Sequence, residues 1–464
     1  MEEYIKTLLE QVRFEKAHKA IGDEIRAHIE DQAEENISEG MDKETAEKRA
    51  VEDMGDPVEA GIALDKVHRP QVAWSVIIAV LAVALVGAIF QFLLLNDPVL
   101  INAGQYYNPD RGTSNGFFEY TIMGIFVMLV LYFLDFTVIA KYSRIIAIVW
   151  AAVFLLTSLP YKMGDILINA GVLPVKQTAF WLNILVGIAM RISDKMLILV
   201  PLYAGILYEY KGRKGRTLTK ALLWILIPTF YGCFEVWSFR SNGTIIAICM
   251  LTELTIAIRQ GWIKVQNKLL VPIWGAFVII TSVSYGVGIK NYGSSVEEET
   301  LKKVVDSIYL FGSGIYYGHD GFQKPSSCLI NQPFGTYFLT YISSTYGAIF
   351  GIAIIAIVVG LIVFGFMNLF KLKNRLGHVM GIGCMMWLAV NAIANVFTAF
   401  GVFPEWVVNN SFLPFVSNSY YDTLVYSYAV LGILLSIYKY KDAYSLDVEI
   451  DSVGISNLLK DLNL

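Results

Sequence analysis

Charge is scarce in this 464-residue chain: 16% of its residues are charged, against roughly 25% in an ordinary soluble domain. That shortage, with 55% hydrophobic residues, points to lipid as the solvent of most of the chain. Cysteine is also scarce. Cys233, Cys249, Cys328 and Cys384 show no CxxC or Cys/His spacing, which excludes a disulfide framework as the basis of the fold. The five histidines (His18, His28, His68, His319, His378) are scattered, so a zinc site has no support. No signal-peptide pattern opens the chain. The first apolar run comes only after some seventy polar residues, so the first span is expected to act as the insertion signal.

The charge that exists is unevenly placed. Residues 1–70 hold 10 Lys/Arg against 19 Asp/Glu, which leaves the remainder near +5 given a net charge of −4. An acidic head on a mildly basic body argues against nucleic acid as a partner, and against the head docking on anionic lipid. The head reads as short helices. Tyr4, Ile5, Leu8, Leu9 and Val12 recur at helical spacing, and Ile21, Ile25, Ile29 and Ile37 continue the pattern. Gly40 is a natural stop, Asp42 can cap a helix running through Val51 and Met54, and Gly55 ends it. Asp56-Pro57-Val58-Glu59 then supplies an N-cap, a first-turn proline and a capping-box glutamate.

Beyond the head, apolar segments fall at 74–95, 120–140, 145–159, 196–208, 221–239, 243–258, 269–289, 341–364, 378–402 and 421–438. The expected fold class is therefore all-α: a polytopic integral membrane protein of about ten transmembrane helices with a small cytosolic helical domain at its N-terminus. Three regions follow: 1–70 the acidic head, 71–441 the transmembrane body, 442–464 a cytosolic tail. Basic residues mark alternate connections: Lys141/Arg144, Lys211 to Lys220, Arg259/Lys264/Lys268, Lys371/Lys373/Arg375 and Lys439/Lys441. By the positive-inside rule that side is cytoplasmic, and both termini with it. The opposite side carries long connections at about 160–195 and 290–340, with a shorter one at 403–420. Any chemistry is expected there.

Two stretches resemble known families. Glu39-Gly40-Met41, Ala46/Ala50-Val51 and Met54-Gly55-Asp56-Pro57 resemble the permease prefix domain of bacterial membrane proteins. That likeness implies a regulatory or partner-binding module. In the body, Asn391-Ala392-Ile393-Ala394-Asn395, Gly401-Val402-Phe403-Pro404 and Leu413-Pro414-Phe415-Val416-Ser417 resemble a signature of the shape, elongation, division and sporulation family (FtsW, RodA, SpoVE). Phe311-Gly312-Ser313-Gly314 with Gly318, Thr336-Tyr337-Phe338, Asn242-Gly243-Thr244 and Ile192-Ser193-Asp194 match further family motifs in order, over roughly residues 74–441.

The resemblance implies a protein of bacterial peptidoglycan assembly in cell division, cell shape or sporulation. It implies an undecaprenyl-linked precursor in the membrane lipid, a cell-wall synthase (transpeptidase) partner, and a divalent metal as cofactor. The family's catalytic Asp in the outer loop is not matched: the family's spacing lands near Val296, beside Glu297, Glu298 and Glu299. The acid of Thr-Asp-Phe is Tyr337 here, the acidic pair after it is replaced around Ser344 and Thr345, and the Asp before Leu-Gly-Thr is Ser241. Glycosyl transfer needs a base for the acceptor hydroxyl and cations or a metal for the leaving pyrophosphate. Glu297 is the candidate base, with Asp306 and Asp320 more remote; the plain alternative for the Glu297–Glu299 run is a solvated loop face. Arg191 and Lys195, near the outer ends of spans, are candidate ligands for a lipid pyrophosphate, or else an ion pair with Glu235. Gly312, Ser313, Gly314 and Ser417 complete the candidate substrate site by resemblance. Asp135 and Glu253, in or near apolar runs, are expected to pair or to face a cavity.

Three functions remain open at this stage: a family member with a degenerate catalytic motif, an active glycosyltransferase using Glu297 or a neighbour, and a lipid-linked precursor flippase or permease.

Overall fold

The computed structural model describes residues 1–96, 114–169, 195–213, 215–234, 240–291, 296–311, 335–403, 411–417, 423–441, 444 and 447, and the side chains of all but 95, 114–115, 157–169, 195, 230–234, 240–242, 284–291 and 296–300. All regular structure among them is helical.

The head is built as its punctuation predicts. Helices α1 (Glu2–Leu9), α2 (His18–Ser38), α3 (Lys43–Asp53) and α4 (Pro57–His68) are separated by Gly40 and Gly55, at φ 100° and 77°, where a side chain would strain the backbone. Asp42 caps α3 by accepting the Thr45 N–H at 3.1 Å, and Asp56 caps α4 by accepting the Val58 N–H at 2.8 Å. Tyr4, Ile5, Leu8, Val12, Ala17, Ile21, Ile29 and Ala50 form a core of the head's own, each large side chain contributing about 1.5–3 kcal/mol by leaving water. Ile37 continues the spacing of the pattern but lies outside that core, 42% exposed. Asp65 ties α4 to the segment after α1: it accepts the Arg13 backbone N–H at 3.0 Å and the guanidinium at 2.6 Å. Those bonds to Arg13 hold its carboxyl below the usual carboxylate range.

The body follows as α5 (Trp74–Leu95), α6 (Ser114–Phe133), α7 (Phe136–Asn169), α8 (Leu199–Glu209), α9 (Thr217–Phe234), α10 (Arg240–Arg259) and α11 (Leu270–Asn291). Then come α12 (Val296–Asp306), α13 (Phe338–Tyr346), α14 (Ala348–Leu369), α15 (Arg375–Ala399) and α16 (Thr423–Lys439). Among the described residues, five helical stretches are long and apolar enough to cross a membrane: Trp74–Leu94, Gly116–Phe133, Phe136–Leu156, Ala348–Leu369 and Arg375–Ala399. The last is the centre of the bundle, 78% buried against 11–22% for the other four, and it packs on α8, α10, α14 and α16. Lipid tails are as apolar as leucine, so packing rather than expulsion of apolar surface holds such helices together. Close approach needs small residues. At Gly432 a Cβ would fall 2.7 Å from the Met128 carbonyl, which is why α16 can lie directly on α6.

Three boundaries differ from the sequence reading. The apolar run 120–140 is broken, because Asp135 caps α7 by accepting the Thr137 N–H at 3.0 Å. The connection expected from 160 is helical through Asn169, with Pro160 inside the helix. The span expected at 341–364 is two helices hinged at Gly347, at φ 107°. Apolar residues continue on both sides of Asp135 and of Gly347, so composition alone does not mark those two boundaries.

The helices alternate between two ends. At the head end, the Gln71 N–H donates to the Lys439 carbonyl at 2.9 Å, Tyr208 meets Trp262 with ring centroids 5.0 Å apart, and Asp447 reaches Lys211 at 2.7 Å and Arg375 at 3.6 Å. The basic connections after α8, α10, α14 and α16 therefore gather at one end, beside the head, whereas Lys141 and Arg144 lie inside α7 rather than in a connection. The polar motifs gather at the other.

Candidate functional site

At the far end, the segment 411–417 enters the bundle and is buried throughout. Asn395 of α15 anchors its start, donating to the Ser411 carbonyl at 3.1 Å and to the Thr336 carbonyl at 3.0 Å. Ser417 closes it, accepting the Leu413 N–H at 2.8 Å. Between them Phe415 adopts φ 65°, a left-handed conformation for a bulky residue. The surroundings hold it there. Gln91 of α5 donates to the Val416 carbonyl at 3.2 Å, Tyr428 meets the Phe415 ring at 5.3 Å, and at Gly87 a Cβ would fall 2.8 Å from Val416 Cα. Thr340 of α13 donates to the Ala399 carbonyl at the end of α15. The Asn391–Asn395 and Leu413–Ser417 motifs are thus pins for a buried turn. Asn395 Oδ1, Thr398 Oγ1 and Ser343 Oγ have no hydrogen-bond partner among the described residues.

The acids are elsewhere. Tyr337, at the position of the family's acid, is 3% exposed and packs against Leu301 and Val304 of α12, while Leu301 Cδ2 would lie 3.6 Å from a Cβ at Gly401. This apolar contact fastens α12 over the end of the bundle. Glu297 stands one turn before Leu301, so helical register puts position 297 on the face that carries Leu301 and Val304. Asp306 ends α12 and is exposed. Lys195 opens a one-turn 3₁₀ helix, Lys195–Ile198, that leads into α8. Arg191, Gly312, Ser313, Gly314 and Asp320 lie outside the described residues. Among the described residues no three His, Cys, Asp or Glu side chains gather as a ligand set.

Two membrane acids divide. Asp135 pairs, with Lys16. Glu253 does not: it is fully buried, neither carboxyl oxygen has a hydrogen-bond partner among the described residues, and its Oε1 would lie 1.8 Å from a Cβ at Gly383. Only glycine at 383 leaves it room. Gln91 went unremarked in the sequence, although a lone amide in the apolar α5 is the kind of residue a membrane rarely tolerates without a role.

No family model matches the chain, and no curated protein matches it. Among solved structures it superposes on a chain described by the words "Structural coordination of polymerization and crosslinking by a peptidoglycan synthase complex", with a TM-score of 0.51, 14% identity, and 79% of this chain and 97% of that one covered. The rod shape determining protein RodA of Thermus thermophilus superposes with a TM-score of 0.47 at 14% identity, covering 80% of this chain and 97% of its own. At such identity the likeness carries the fold and nothing finer. The chain is a multi-pass membrane protein by its apolar helices, and it shares its fold with a chain of that peptidoglycan synthase complex.

Proposed function

We propose that the protein serves peptidoglycan assembly in the bacterial cell membrane with its polymerase site degenerate, handling an undecaprenyl-linked precursor or partnering a cell-wall synthase. In this reading it has ten spans, with both termini cytoplasmic and residues 1–70 a regulatory or partner-binding head. The gathering of basic connections at the head end supports that orientation. The likeness to a chain of a complex that coordinates polymerization with crosslinking supports a synthase partner.

The observation that carries the reading is Tyr337. Where the resembled family has an acid, this chain has a buried ring sealing α12 to the bundle. The buried far-end cluster offers amides and hydroxyls, which hold backbone but do not take a proton from a sugar hydroxyl at neutral pH. One observation favours the active glycosyltransferase instead: position 297 lies on α12, one turn before the docked Leu301.

Polymerisation of labelled lipid-linked precursor by the full-length protein, purified with any synthase that accompanies it, separates the two. Precursor binding without chain formation is the expected result. Chains that vanish in Glu297→Ala, with expression unchanged, would establish the enzyme and place its base on α12.

A further inference from the structure

The head end carries a second constellation, centred on Asp135. This turn residue between α6 and α7 is 8% exposed and uses both carboxylate oxygens. Oδ1 caps α7. Oδ2 receives the Lys16 ammonium at 2.6 Å and also the Tyr444 hydroxyl. Lys16 comes from the head and Tyr444 from the C-terminal tail, so two distant segments meet on one oxygen.

Aromatic packing joins the same two segments directly. Phe14 of the head stacks on Tyr440 at 5.5 Å and meets Tyr444 edge-on at 5.5 Å, and Tyr444 meets Phe136 of α7 at 5.7 Å. Ser436 of α16 fastens the turn from the other side, donating to the Leu134 carbonyl at 2.5 Å and accepting the Phe136 N–H at 3.1 Å. Burial and the neighbouring carboxylate push the Tyr444 phenol up, so it is present as a hydroxyl donor.

We propose that Asp135 is a latch that couples docking of the N-terminal head to docking of the C-terminal tail, and passes their joint state to the α6–α7 turn and to α16. The coupling has a physical sign. The tail rings cover Asp135 and exclude water, which strengthens its pairing with Lys16, and they are the surface on which Phe14 packs. A departing tail therefore weakens the head's hold, and by reciprocity a departing head weakens the tail's. α16 extends the effect across the bundle, because its Tyr428 is the residue against the Phe415 ring. None of this rests on the cell-wall reading.

Hydrogen exchange of the full-length protein in lipid nanodiscs tests the latch. Tyr444→Ala, which leaves the head sequence intact, is expected to raise exchange of amides 12–18 in the head on the order of tenfold, the worth of a charge-assisted bond and its packing. Phe14→Ala should raise exchange at 440–444 in return, and the double variant should add little to either. Amides of α3, remote from the latch, should stay protected in every variant. Tyr444→Phe keeps the ring and removes only the hydroxyl, so a smaller rise at 12–18 is expected there. Wild-type exchange at 12–18 in both Tyr444 variants would show that head and tail dock independently, and the proposal would fall.

Discussion

Asp65 shows how one carboxylate sets the stability of the head. Its pairing with Arg13 lowers its folded-state ionisation below the unfolded value of about 3.9. The contribution is therefore fully present above that value, and it is lost as the pH falls through the lower, folded one. Protection of α4 amides, corrected for intrinsic exchange, should accordingly drop as the full-length protein is taken below about pH 4. Asp65→Asn should cost about 1 kcal/mol near neutrality, a modest figure because the guanidinium faces solvent, and should flatten the acid response. A head whose protection falls in acid equally in the wild type and the variant would assign that loss to other groups.

At the scale of elements, the described side chains of α12 meet the bundle through one small apolar contact. Leu301 and Val304 are its buried contacts with Tyr337, and position 297 depends on them for its placement. Leu301→Asp puts a charge in that contact, at a cost of several kcal/mol if it stays buried, so α12 should lift away instead. Limited proteolysis in nanodiscs should then cut within 296–306 at least tenfold faster while α15 remains intact. If Glu297 proves catalytic, the same variant should abolish chain formation without touching the carboxylate. The hinge at Gly347 and the cap at Asp135 belong to this scale too: each divides an apolar run that hydropathy reads as one span.

The whole molecule consists of a head with its own core and a bundle with another, joined at one end. Since the head's core borrows almost nothing from the bundle, deleting residues 1–66 should leave membrane insertion and expression unchanged. It removes Phe14 and Lys16 at the same time, so exchange at 440–444 should rise as it does in Phe14→Ala. A truncated protein that fails to insert would make the head part of the body's folding and not an appended module.

Much of this was legible in the chain itself. The head's caps, its glycine stops and most of its core follow from local chemistry, because a helix end is decided by the residues within a few positions of it. Class and rough span positions follow from hydropathy, because lipid selects on composition. The polar motifs at 391–395 and 413–417 were visible as a resemblance, but their work as pins for a buried turn was not. That work depends on Gln91 and Thr336, far away in sequence. Tyr337 shows the same limit: a tyrosine replacing an acid reads as a lost function, and only its neighbours Leu301 and Val304 show what replaced it. Asp135 was marked by burial cost as a residue that should pair or face a cavity. Its partners, Lys16 from one end of the chain and Tyr444 from the other, were for the folded molecule to decide, since pairing across 119 and 309 residues leaves no local pattern to read.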